Sequence, residues 1–302
     1  MFRTTLLPLL AALVTSALPL AGGCAATPAA PAAAAAAERR VHTPAGELAV
    51  REAGRGATPL LLWHSLYTDP SMFDPLVEQL APNYRLLLVS APGHGNSGPP
   101  LAPLTSAASG AAVLAVLDAY GVERAAVVGC SWGGIAGLQA ALQAPQRITA
   151  VAAFNTPFGP GATDLGTRSI VWMTGWLGNT EFFGRRVASN FFSQHTRTRQ
   201  PEVVERFAAA FKARDPRTLQ AVSRAVLMER ESLLPLLPKL RVPVLAVSGA
   251  EDPLYPAAQA EEIARSIPKA RFVSVPDSAH LTPLEQPVIT AKLVRELVPP
   301  QQ

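Results

Sequence analysis

The stretch VVGCSWGG (127–134) decides how the rest of the chain is read. A β-branched pair runs into Gly129, a serine stands two residues later, and Gly133 and Gly134 close the stretch. In a G-x-S-x-G arrangement a buried strand turns sharply into a helix. The turn pushes the serine hydroxyl outward, and a Cβ at either flanking glycine would strike the neighbouring strand or helix. The helix N-terminus and the N–H after the serine then favour negative charge developing beside it. Three fixed letters in five recur by chance, so the flanks matter. ERAAVVGC (123–130) reads as a strand and WGGIAGLQAALQAP (132–145) as a helix. In that setting Ser131 is the candidate nucleophile; the alternative is a plain strand-to-helix turn.

Outward from this point the chain alternates strand-like and helix-like segments. RRVHT and GELAVREAG suggest a hairpin around Pro44–Gly46. Apolar runs of buried-strand type follow at 59–65, 84–93, 147–157, 242–249 and 271–275. Helical spacing marks 71–82, 107–121, 256–268 and 283–298. Buried strands alternating with helices indicate βαβ units around a mostly parallel sheet flanked by helices. The alternation stops between 158 and 238, where only helical pieces appear, rich in aromatic residues. Val203, Phe207 and Phe211 share one face there, as do Leu219, Val222 and Val226. The expectation is an α/β core over 39–157 and 239–299, with a helical cap inserted over 158–238.

A serine at its ordinary pKa is a poor nucleophile and needs a base, most often histidine. The chain has five. His280 lies in SVPDSAHLTP, after the last strand and before the last helix, and parallel strands bring such loops to one edge of the sheet. His280 is therefore the candidate base. His64 and His94 also end strands and are its competitors; His42 and His195 sit in the hairpin and the cap. The base needs an acceptor to fix its tautomer and stabilise its charged form. SGAEDPLYP (248–256) offers Asp252, placed before a proline that disfavours helix. Glu251 is the alternative, an acid near Asn155 or Asp164 is a weaker one, and Asp277 reads as a turn former.

These stations, in the order Ser131, Asp252, His280, resemble the α/β-hydrolase superfamily from about residue 39 to 299. WHSLYTDPSMF resembles that superfamily's loop after strand three, and SAPGHGNSG its glycine loop after strand four. Within it, the chain looks most like the 3-oxoadipate enol-lactonase and carboxylesterase group, whose helical cap has this size and place. The resemblance implies an α/β-hydrolase fold and a Ser-His-Asp triad. It also implies an oxyanion hole formed by the backbone N–H groups of Trp132 and Leu66. Two positions depart from the pattern: Ser65 stands where a glycine is usual, and Ser90 where an aspartate is common. Dehalogenases and epoxide hydrolases of this superfamily use a carboxylate where this chain has Ser131. The implied activity is cleavage of a carboxylic ester or lactone through an acyl-enzyme. C–C bond hydrolysis, perhydrolysis and a non-catalytic binding role on the same fold are the alternatives. The cap aromatics Trp172, Met173, Trp176, Phe182, Phe183, Phe191 and Phe192 are expected in the cap's own core, some of them lining an apolar acyl pocket. Arg185, Arg186, Arg197 and Arg199 are expected in solvent, with steering of an anionic substrate as the alternative.

Composition fits this reading. The 302 residues are 49% hydrophobic, enough for a sizeable core. The formal charge of +4 is dispersed, without the clustered basic face expected of a nucleic-acid binder. No metal-ligand cluster or dinucleotide or phosphate loop is recognisable, and no cofactor is expected. Of two cysteines, Cys130 adjoins Ser131 and Cys24 lies outside the fold, so no disulfide framework is available. Residues 1–23 combine Arg3, a short apolar run and Ala21-Gly22-Gly23, the pattern of a secretory signal peptide. With Cys24 next, the segment resembles a bacterial lipoprotein signal, with Ala21 where leucine is usual. The expectation is an exported protein attached to the membrane through lipidated Cys24; a soluble periplasmic or secreted form is the alternative. The run is short for a span and carries two prolines, which opposes an uncleaved anchor. AATPAAPAAAAAAERR reads as an Ala/Pro tether, assigned to 24–38.

Overall fold

The computed structural model describes residues 38–301. The signal segment 1–23, Cys24 and the tether as far as residue 37 lie outside the described residues. Among the described residues eight strands form one sheet: β1 Arg39–Thr43, β2 Gly46–Ala53, β3 Thr58–Trp63, β4 Tyr84–Val89, β5 Ala125–Cys130, β6 Ile148–Phe154, β7 Val244–Gly249 and β8 Ala270–Val275. Their order is β1-β2-β4-β3-β5-β6-β7-β8. Only the β1–β2 and β2–β4 pairs are antiparallel. All other neighbours are parallel. β5 and β7 are buried along their whole length, which is why their sequences are unbroken apolar runs rather than alternating ones.

Helices α1 Asp74–Leu80, α2 Ser106–Ala119 and α3 Trp132–Gln143 connect the strands as far as β6. Five more lie between β6 and β7: α4 Leu165–Leu177, α5 Glu181–Phe191, α6 Gln194–Arg199, α7 Pro201–Ala210 and α8 Pro216–Leu227. α9 Ala257–Ala264, α10 Thr282–Glu285 and α11 Pro287–Leu297 complete the chain. Two segments differ from the sequence reading. The expected helix over 71–82 begins as a 3-10 turn, Pro70–Phe73, capped by the Asp69 carboxylate; the α-helix proper starts at Asp74. The expected helix over 283–298 is two helices. Gln286 precedes Pro287, whose ring disfavours helical backbone at the residue before it, and Gln286 takes φ −131° and ψ 62°.

The strand order fixes where a site can form. From β3 the chain moves outward to β4, then crosses back to β5 on β3's other side. The loops after β3 and β5 therefore leave the sheet in opposite directions and open a crevice at the strands' carboxyl ends. Trp63 pairs with Gly129, so the residues after each strand emerge side by side. α3 then presses onto this corner. A methyl at Gly133 would lie 1.9 Å from the Trp63 carbonyl oxygen, and one at Gly129 would lie 2.1 Å from the Gly133 carbonyl carbon. Gly133→Ala is expected to cost at least the ~1–3 kcal/mol of ordinary overpacking, because the obstruction is backbone and cannot swing aside. Urea unfolding of the variant beside wild type measures this.

Candidate active site

Four non-glycine residues among those described have positive φ, and each follows a parallel strand: Tyr67 (65°), Ser131 (54°), Asn155 (47°) and Asp277 (53°). Such backbone costs about 1–3 kcal/mol per residue and persists only where its surroundings hold it. At Ser131 the holding is explicit. Its N–H donates to the Phe154 carbonyl at 2.8 Å, and the glycine corner keeps α3 against the strands. Ser131 is 6% exposed at the N-terminus of α3.

His280 lies between β8 and α10. Its Nδ1 is 3.0 Å from Asp252 Oδ2, and both side chains are almost wholly buried. Asp252, in the loop after β7, receives further bonds. Asn155 Nδ2 donates to Oδ2 at 2.9 Å, and the Leu254 and Tyr255 N–H groups donate to Oδ1 at 2.9 and 3.3 Å. Burial works against the charged carboxylate, but the His280 charge and these bonds outweigh it and hold the carboxyl below its usual range. With Nδ1 engaged by a carboxylate, the ring is held as the tautomer whose Nε2 can accept a proton. The loop is anchored on both sides. The His280 N–H donates to the Phe191 carbonyl at 3.0 Å. Glu285, itself buried, accepts from Ala279 N at 2.8 Å, Ser193 N at 2.8 Å and Thr196 Oγ1 at 2.7 Å.

The competing residues are engaged elsewhere. His64 Nε2 accepts the Ala91 N–H at 2.8 Å, and its Nδ1 is 2.8 Å from the Ser65 carbonyl. His94 Nε2 accepts the Tyr67 N–H at 3.2 Å, with Nδ1 3.0 Å from the Pro92 carbonyl. Each ring is a neutral bracket between loops. Burial pushes the His64 pKa down to about 4, and burial together with the Arg214 charge takes His94 well below its ordinary value. Glu251 accepts from the Gln194 N–H at 2.7 Å, Asp164 caps α4, and Asp277 sits in an exposed turn. Cys130, beneath the site, is a buried thiol whose pKa burial raises well above normal.

Leu66 and Trp132 are buried at the mouths of the β3 and β5 loops. Neither backbone amide has an acceptor among the described residues. Trp132 is fixed by its indole, which donates to Ser109 Oγ at 3.1 Å and stacks edge-on to Trp63 at 5.9 Å. The Ser65 hydroxyl is buried and unpartnered. Asn155 was missed as a functional residue in the sequence. It ties Asp252 to the Ala279 carbonyl at 2.8 Å, joining the acid and histidine loops. Its signal was its place at the end of β6, on the same edge.

The cap aromatics divide. Phe183, Phe191 and Phe192 are buried, and the Phe191 ring lies 4.8 Å from that of His280, with Tyr255 at 5.5 Å. Trp172, Trp176 and Phe182 are 62–71% exposed, contrary to expectation. At the i, i+4 spacing of α4, Trp172 and Trp176 share the face opposite Val171 and Thr174, the buried side of that helix. Clefts of 300–390 Å³ lie along the cap seam, between α4 and α8 within the cap, and beside the acid loop; none of them is lined by Ser131, Asp252 or His280. Among the described residues no three or more His, Cys, Asp and Glu side chains gather as a metal site, and no helix is long and apolar enough to cross a membrane.

A family model described as alpha/beta hydrolase fold matches residues 58–287. The 3-oxoadipate enol-lactonase 2 of Acinetobacter baylyi is 25% identical over 235 residues, covering 78% of this chain and 86% of that protein. A pimeloyl-[acyl-carrier protein] methyl ester esterase of Xanthomonas oryzae pv. oryzae is 31% identical over 228 residues, covering 73% and 87%. The crystal structure of the enol-lactonase from Burkholderia xenovorans LB400 superposes with a TM-score of 0.77 at 28% identity, covering 86% of this chain and 99% of that one.

The depressed Asp252 carboxyl has a consequence for stability. Its contribution is complete above the unfolded aspartate pKa of ~4 and is lost as pH falls through the lower folded value. The Tm difference between wild type and Asp252→Asn should therefore shrink below pH ~4. A difference that stays constant down to pH ~2 would contradict an ionised Asp252 in the fold.

Proposed function

This chain belongs to the α/β-hydrolase fold family and is esterase- and lactonase-like within it, and we propose that it cleaves a carboxylic ester or lactone as a serine hydrolase. The observation that carries the proposal is the Asp252–His280 pair at 3.0 Å, on loops at the same sheet edge as the strained Ser131.

Ser131 Oγ attacks the carbonyl carbon while His280 Nε2 takes its proton. Asp252 holds the ring and stabilises the imidazolium that forms. The tetrahedral oxyanion is received by the backbone N–H groups of Trp132 and Leu66, two amides with no acceptor among the described residues, one of them at the positive end of α3. His280 returns the proton to the leaving oxygen, leaving an acyl-Ser131. It then draws a proton from water, whose oxygen attacks the acyl carbon and frees the acid and Ser131. For a lactone the leaving oxygen remains joined to the acyl group, and the product is one hydroxy acid. Phe191 and Tyr255 flank the His280 ring and suit an apolar acyl group.

Export belongs to the same proposal and rests on the sequence of residues 1–24: a secretory signal, with Cys24 as the lipid-bearing residue. A tether over 24–38 then holds the hydrolase core, 39–157 and 239–299, and its cap, 158–238, away from the membrane. Mass spectrometry of the mature N-terminus checks this: a diacylglyceryl Cys24 is expected, and an unmodified residue after ordinary cleavage would place the protein free in the periplasm or medium.

A fluorophosphonate probe should label Ser131 in folded protein, and Ser131→Ala should abolish labelling. Asp252→Asn should lower kcat on a short p-nitrophenyl ester by roughly 10³–10⁴-fold, through loss of the productive tautomer. Absence of label in folded wild type would remove the serine-hydrolase reading.

A further inference from the structure

Tyr67 follows Leu66 in the loop after β3, and its backbone is in the left-handed region at φ 65°. Glycine accepts such a conformation freely; a bulky aromatic residue does not. Every polar atom of Tyr67 is engaged. Its N–H donates to His94 Nε2 at 3.2 Å, the one bond made to the core. Everything else comes from the cap. Arg214 Nη2, between α7 and α8, donates to the Tyr67 carbonyl at 2.9 Å. The phenol oxygen lies 2.9 Å from Ser223 Oγ on α8 and 3.3 Å from Thr174 Oγ1 on α4. The ring packs at 5.9–6.2 Å from Phe183 and Phe191 of α5 and from Phe211 after α7.

A residue under backbone strain relaxes when its restraints are removed. Here most of the restraints belong to the cap, and they act on the Tyr67 side chain and the Tyr67–Thr68 peptide; Thr68 in turn donates through its N–H and Oγ1 to the Ser65 carbonyl, in the peptide that carries the Leu66 N–H. We propose that Tyr67 is a positioning residue through which the seated cap fixes the oxyanion loop, so that the Leu66 N–H is aimed at the site only while the cap grips Tyr67. This rests on the reading of Leu66 as an oxyanion donor. Arg214 strengthens the grip: its guanidinium is buried over the Phe211 ring at 4.7 Å, and its Nε and Nη1 have no partner among the described residues. The bond to the Tyr67 carbonyl is the hydrogen bond that this buried group makes.

The test uses the full chain and two variants that attack the grip from opposite sides: Tyr67→Phe, which keeps the ring and removes the hydroxyl, and the double variant Thr174→Val with Ser223→Ala on the cap. Backbone hydrogen exchange is read at residues 64–69, kcat and KM on a p-nitrophenyl ester, and inhibition by an aryl trifluoromethyl ketone, which a nucleophilic serine converts to a tetrahedral oxyanion. Rates are normalised to the fraction of Ser131 titrated by fluorophosphonate, so partial unfolding does not imitate the effect. Both variants should exchange faster at 64–69 with the β-sheet unchanged, and each should lose about tenfold in kcat with KM unchanged, as for a lost buried hydrogen bond. Affinity for the ketone should fall in parallel with kcat. Unchanged exchange at 64–69 in both variants overturns the grip. Faster exchange with unchanged kcat and ketone affinity overturns its link to the oxyanion loop. If wild-type Ser131 takes no probe, the hydrolase reading itself fails, and the exchange measurement alone decides whether the cap holds the loop.

Discussion

The structure depends on how closely α3 approaches the ends of β3 and β5. At Gly133 there is no room for a methyl group before the Trp63 carbonyl. That approach ends β5 abruptly at Cys130, turns the chain through Ser131 at φ 54°, and sets the first free N–H groups of α3 beside the serine. A looser helix would let Ser131 relax to ordinary backbone and withdraw its hydroxyl. The strain at Ser131 is held by close packing across the sheet, which has no soft side chain to yield.

Around this corner, environment assigns roles to groups of the same chemical type. Three histidines are buried near the sheet edge. Two of them have both ring nitrogens committed to the backbone and stay neutral as struts. Of the three, His280 meets a carboxylate, and against burial that carboxylate is held below its usual range by the His280 charge and by bonds from His280, Asn155 and the Leu254 N–H. A buried acid without those donors would rise in pKa and cease to support a charged imidazole.

The cap reaches both the β3 loop and the histidine loop. It holds the β3 loop through Tyr67 and the histidine loop through the Phe191 carbonyl and the Glu285 network. Its outer face is different in kind: Trp172, Trp176 and Phe182 face outward, where helical periodicity in the sequence alone suggests a cap core.

The sequence by itself determined the alternation of strands and helices, the elbow at Gly129–Gly133 and the order Ser131, Asp252, His280. These are local patterns or consequences of chain direction: buried parallel strands read as apolar runs, and the loops after them share one edge. It also marked the 158–238 interval as helical, because strands were missing from it. Tertiary structure decided what contacts across distant segments decide. The helix expected over 283–298 breaks at Gln286 before Pro287. Asn155 gains its part only because β6 ends beside the β7 and β8 loops. Tyr67 reads in the sequence as one loop residue among several; its grip requires α4, α5, α7 and α8 to converge on it. Which face of α4 is buried likewise depends on what packs there, since an aromatic residue at helical spacing fits a core and an exposed stripe equally well.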